Sequence, residues 1–132
     1  MINNKRLTAN ILSALIMGFL YGYFDFHIQA ATNYLFMGAL FPWFVMVGMF
    51  VLPNVLIHYR HALVGLANAS LALSIEDLAY WFWARTLPAN WAWFYPVAWH
   101  IPIDDIIGII LAALLYYYGE RYRTNWEFKH SQ

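Results

Sequence analysis

Cysteine is absent from the 132 residues, which excludes disulfides, thiolate metal ligands, iron–sulfur clusters and thiol nucleophiles within the chain. Charge is scarce as well. Only 11% of the residues are Asp, Glu, Lys or Arg, against roughly 25% in a soluble domain. Seven basic side chains balance seven acidic ones and no long basic run occurs, so no nucleic-acid partner is expected. What fills the chain instead is apolar: 63% of residues are hydrophobic and 20% aromatic, with a mean hydropathy of +0.52. A soluble chain this short has no interior large enough for that surface. The apolar residues also fall into long runs broken by short polar stretches, the pattern a bilayer requires.

Those runs predict an all-α integral membrane protein, a single transmembrane domain over residues 1–132 built as a four-helix bundle. The first run, Leu7 to Phe26, is longer than the roughly 7–15 apolar residues of a signal peptide and is read as helix 1, residues 7–27. Helix 2 is expected over Tyr34–Ile57, with Pro42 and Pro53 each removing a backbone donor and kinking it. Helix 3 is expected over Ala62–Ala84, where Gly65, Ala67, Ala69, Ser70 and Ala72 permit close helix contact. Helix 4 opens at Pro102 and continues to about Tyr118, leaving a cytoplasmic tail over 119–132.

Basic residues set the orientation. Lys5, Arg6, Arg60, Arg121, Arg123 and Lys129 flank one set of helix ends and Arg85 alone flanks the other. The positive-inside rule therefore predicts both termini in the cytoplasm and a multi-pass protein of the cell membrane, with the lipid bilayer as its first partner. The segment Arg85 to Ile101 carries Trp91, Trp93, Tyr95 and Trp99 between Pro88 and Pro96 and reads as an aromatic loop along the outer headgroups.

With that topology Asp25 and His27 end helix 1, Glu76 and Asp77 lie in the outer half of helix 3, and His100, Asp104 and Asp105 begin helix 4. Glu76 is eight residues before the end of its apolar run, about 12 Å inward at 1.5 Å per residue. Five carboxylates share this layer with a single Arg85, so charge is left unmatched. A buried carboxylate without a counter-charge costs several kcal/mol, and it is protonated, binds a cation, or faces water. Histidines beside the acids suggest a divalent transition metal, namely zinc, iron, manganese or copper, held by Glu76, Asp77, His100 and Asp104, with His27 and Asp25 next. Alone, Asp104 and Asp105 also suit the first turn of a helix, where acids complement its dipole. On the inner side the turn His58-Tyr59-Arg60-His61 suits contact with lipid phosphates, and Asn54 and Asn68 suit hydrogen bonds between helices.

From helix 3 onward the order is Asp77 followed by Tyr80 and Trp81, an aromatic loop, then Pro102-Ile103-Asp104-Asp105 opening an apolar helix. This resembles a half-domain of the small integral-membrane lycopene (carotenoid) cyclases, whose helices open with Pro-x-Glu-Glu or Pro-x-Glu-Asp. Here Asp104 stands for the first glutamate, and Ser74-Ile75-Glu76-Asp77 keeps Glu-Asp without the proline. The resemblance implies protonation of an apolar polyene by a buried acid, no metal, and a second half-domain as partner. Three readings follow. The first is a metal-binding enzyme or enzyme subunit acting on an apolar, lipid-like substrate. The second is a cyclase-like acid catalyst using Glu76, Asp77, Asp104 and Asp105. The third is a non-catalytic accessory subunit, or a proton or cation pathway, within a homo-oligomer or a complex with other membrane subunits.

Overall fold

The computed structural model describes residues 2–33 and 40–132. Four helices make up the described chain: α1 (Asn4–Ala31), α2 (Leu40–Ile57), α3 (Ala62–Ala84) and α4 (Ile103–His130). A two-residue strand pair, β1 (Val97–Ala98) and β2 (Ile101–Pro102), stands before α4. The expected first residues of helix 2, 34–39, and the side chain of Pro42 lie outside the described residues; Pro53 sits inside α2.

Local chemistry explains the ends. Asn3 caps α1, its Oδ1 accepting from the Arg6 amide at 3.1 Å, and Thr32 stops it by donating its hydroxyl to Ile28 O at 2.8 Å. α3 ends where Arg85 turns left-handed, at φ 57°. Pro102 stands as the residue before α4, so Asp104 and Asp105 fall in that helix's first turn.

α3 is the hub, and each of α1, α2 and α4 packs chiefly on it. On α1 the buried residues are Ala14, Gly18 and Gly22, four apart and hence on one face. A Cβ at Gly18 would stand 2.5 Å from Ala72 O, and one at Gly22 would stand 2.7 Å from Glu76 O. The two backbones therefore meet with no side chain between them, the small-residue packing that lets helices associate without help from water. Gly65 meets Asn54 O in the same way on α2, and Gly119 meets Val64 on α4. These pairings make α1 and α3 parallel and α4 antiparallel to both.

One end of the molecule thus holds the start of α1, the turn at 58–61 and the end of α4; the other holds the ends of α1 and α3, the hairpin and the start of α4. Six of the seven lysines and arginines lie toward the first end and Arg85 toward the second. Helix 4 is longer than its apolar run. The tail expected after Tyr118 continues as helix to His130, because its charges are paired. Arg6 reaches Glu120 at 2.8 Å and Glu127 at 2.9 Å, and Arg123 meets Glu127 at 3.1 Å one turn away. The hydrogen bond from Arg6 holds the Glu127 carboxyl below its usual range.

By length and apolarity α1 and α3 suffice to cross a membrane. The outward faces of the peripheral helices are strongly apolar. Leu12, Ile16, Leu20, Phe24 and Ile28 are exposed on α1, Phe44, Met49, Leu52 and Leu56 on α2, and Ile106, Ile110, Leu111 and Leu114 on α4. The buried polar set is inside: Asn54, Asn68, Ser74, Glu76, Asp105 and Glu120.

Candidate functional site

Glu76 is the centre of the acidic end. It lies two turns before the end of α3 and is only 1% exposed. Gly18 and Gly22 press against its own backbone nitrogen and oxygen, so α1 seals one side of the residue. Among the described residues no N–H or hydroxyl donates to either carboxylate oxygen, and the one hydrogen bond open to the carboxylate is with the Asp25 carboxyl, which requires a shared proton. Its electrostatic neighbours are Asp25 on α1, Asp77 on its own helix and Asp105 on α4, and all three are acids.

Asp77 and Asp105 meet through Tyr95. The Tyr95 hydroxyl donates to Asp77 Oδ2, lies 3.5 Å from Asp105 Oδ2 and accepts from Trp81 Nε1 at 3.1 Å. One hydroxyl proton serves two carboxylates, so one of them goes without. Burial and the adjacent Asp77 hold the Tyr95 phenol well above its usual range, which keeps it a donor. The residue is buried although it belongs to the loop, because its ring packs with Tyr80 and Trp81 under the hairpin.

A cavity of about 360 Å³ opens beside these groups, lined by Met46, Ser70, Leu73, Ser74, Glu76, Asp77, Tyr95, Asp104, Asp105, Ile107 and Gly108. It occupies the cleft that α2 and α4 leave where both lean on α3. Ser70 ties its floor together by donating to Gly108 O at 2.7 Å. Among the described residues no basic side chain lines it, and no ion pair involves Asp25, Glu76, Asp77, Asp104 or Asp105.

The histidines stand apart from the acids. His27 is exposed on α1 and packs edge-on to Tyr23, with ring centroids 4.3 Å apart. Asp25, two residues earlier on the helix, turns inward toward Glu76. His100 is exposed at the tip of the hairpin, where it and Trp99 both have positive φ, 61° and 49°. Its Nδ1 donates to Pro88 O at 3.1 Å. Among the described residues no three Asp, Glu or His side chains are arranged to hold a metal ion.

Two features leave no local mark in the sequence. Tyr95 reads there as a belt aromatic, and nothing local in Phe94-Tyr95-Pro96 shows that the loop folds back over the acids. The Arg6–Glu120–Glu127 clamp went unread because its partners are 114 and 121 residues apart. At that same end Asn68 links helices as expected, accepting from the Tyr116 hydroxyl at 2.5 Å. Asn54 also links helices, donating to Met17 Sδ on α1 at 3.9 Å as well as within α2 to Phe50 O at 2.7 Å.

No family model and no solved structure matches the chain. It is 31% identical over 120 residues to a candidate transmembrane protein, ORF202, of Acidianus filamentous virus 2 (isolate Italy/Pozzuoli). The match takes in 87% of this chain and 54% of the viral protein. The chain thus spans about half the length of the curated relative it matches.

Proposed function

We propose that this is a multi-pass protein of the cell membrane, with four spanning helices and both termini in the cytoplasm, whose outer acidic cluster carries an exchangeable proton. The outward apolar faces and inward polar groups support the membrane, since water would impose the reverse. The concentration of lysine and arginine at one end supports the orientation. α4 then spans with its first five turns and runs on into the cytoplasm, where its ion pairs lie.

The observation that carries the proton is Glu76: enclosed, reached by no N–H or hydroxyl donor, and with acids as its charged neighbours, one of them Asp25 at hydrogen-bond range. A carboxylate in hydrocarbon with no cation beside it costs several kcal/mol, and a bound proton removes that cost. Intramembrane acids of this kind serve proton relays, ion pathways and acid catalysis. The cleft at the α2–α4 side gives lipid-soluble molecules a route to the acid, so protonation of an apolar substrate belongs to the same reading.

Infrared spectroscopy tests it. At neutral pH the protein in detergent should show the carbonyl stretch of a buried protonated carboxyl, and Glu76→Gln should lack it. Identical spectra would overturn the proposal. Stoichiometric metal that is retained by the wild type and lost in Glu76→Gln would replace the proton with a metal ion.

A further inference from the structure

We infer that the cavity at the acidic end takes a lipophilic organic monocation, such as an amine or quaternary ammonium bearing an alkyl or aromatic group, in exchange for the cluster's proton. The inference rests on the proton-carrying reading of Glu76 and names the substrate class of that site.

Size is the first argument. At about 360 Å³ the cavity lies in the range of small-molecule sites and far exceeds what a bare ion fills. Charge is the second. The walls present Glu76, Asp77, Asp104 and Asp105 with no basic side chain, so anions are repelled and a cation supplies what the cluster lacks. Glu76 is 1% exposed and lines the cavity, and no N–H or hydroxyl donates to either oxygen, so a cation arriving there competes only with the proton that Glu76 and its hydrogen-bond neighbour Asp25 can share. Apolar surface is the third. Met46 and Ile107 form part of the wall, where an alkyl or aryl group gains and a hydrated metal ion does not. A quaternary ammonium also suits the Tyr95 ring in that wall.

Access agrees with this chemistry. The cavity occupies the cleft between α2 and α4, and Ile107 at its edge is 57% exposed on the face turned to lipid in the proposed membrane. A lipophilic cation partitions into the bilayer and enters sideways. Once inside, a permanent positive charge cannot be discarded, so the cluster restores neutrality by releasing one proton. The groups that set this exchange are Asp25 from α1, Asp77 from α3, Asp104 and Asp105 from α4 and Tyr95 from the loop; from α2, among the described residues, Met46 faces it.

The test is calorimetric titration of the full chain in detergent with benzyltrimethylammonium, in two buffers of different ionisation enthalpy. The expected result is saturable binding with about one proton released per cation, and a Kd that rises about tenfold per pH unit on the acid side. Neopentylbenzene, the neutral carbon isostere, should show no saturable site. Glu76→Gln should weaken cation binding at least about tenfold, because it removes the charge the ligand pairs with. Asp105→Asn should also weaken it, which keeps the test decisive if the first variant does not fold. Absence of saturable binding, binding that is independent of pH, or equal affinity in wild type and both variants would overturn the inference. A buried carboxyl band in the infrared without cation binding would sink the substrate class and leave the protonated cluster standing. The absence of that band would remove the cluster's proton, and this exchange with it.

Discussion

Arg6 on α1 and Glu120 on α4 meet as a forked ion pair, the guanidinium Nε and Nη2 donating to the same carboxylate oxygen, Oε2, at 3.0 and 2.8 Å. The Glu120 side chain is wholly enclosed, while Arg6 keeps a fifth of its side chain exposed. That asymmetry decides which half of the pair is harder to lose. Arg6→Met leaves an enclosed carboxylate with no counter-charge and only the long hydrogen bond from Asn10 Nδ2 at 3.4 Å, and should destabilise the protein by about 3 kcal/mol. Glu120→Gln should cost less, because an amide keeps the shape and leaves Arg6 with Glu127 at 2.9 Å. The double variant should cost less than the sum of the two. Thermal unfolding in detergent measures all three, and additive losses would mean the pair is not coupled.

Because the chain has no cysteine, a single introduced thiol reports its side of the membrane without background. Cysteine at Asn90 should react with an impermeant reagent applied from outside, and cysteine at Ser131 only after the membrane is opened. Reaction of both from one side would remove the four-span orientation.

The end that holds the 58–61 turn carries a pH response separate from that of the acidic end. His58 lies half-buried in the turn before α3, its Nε2 3.3 Å from the Asn68 amide nitrogen, which can only donate. Burial and then the positive charge of Arg123 hold the imidazole below its usual value of 6.5. A histidine whose folded value is depressed stays neutral while the unfolded chain takes up a proton. Its stability contribution is therefore complete above pH 6.5 and is lost as pH falls toward the folded value. His58→Gln should flatten the fall in melting temperature between pH 7.5 and 5.5; an unchanged slope would exclude His58 as its source.

How far the sequence can be read is plain from these residues. α3 occupies Ala62–Ala84, where a run of mostly small and apolar residues, interrupted chiefly at Asn68, Glu76 and Asp77, lies between a basic turn and Arg85. The inward depth of Glu76 follows from counting helical rise, and unmatched charge singles out Asp25, Asp77, Asp104 and Asp105 without any structure. Helix phase limits the rest. Two residues along a helix is a rotation of about 200°, so nearness in sequence to Asp25 takes His27 outward. His100 sits in a two-residue turn with positive φ on both residues, a conformation usually marked by Asn or Gly, and Trp99-His100 gives no such mark. Tyr95 and the Arg6 clamp depend on contacts between distant segments, which no local periodicity records.

The central position of α3 bears on how the chain is assembled as it is made. α1 and α2 leave the ribosome first, yet each finds its main packing surface only on the helix that follows them. Until then the Ala14–Gly18–Gly22 face of α1 lacks the helix it packs on. In the proposed membrane α3 is costly to insert alone, since it brings Asn68, Ser74, Glu76 and Asp77 into the bilayer. Gly18 and Gly22 close over the backbone of Glu76 as soon as α1 and α3 meet, but Asp77 receives its hydroxyl donor only after Tyr95 is synthesised. The Arg6 clamp closes last, when α4 has emerged beyond Glu120. A chain stalled before Tyr95 therefore holds α3 with its acids unsatisfied, and that nascent species is the one quality control has most reason to recognise.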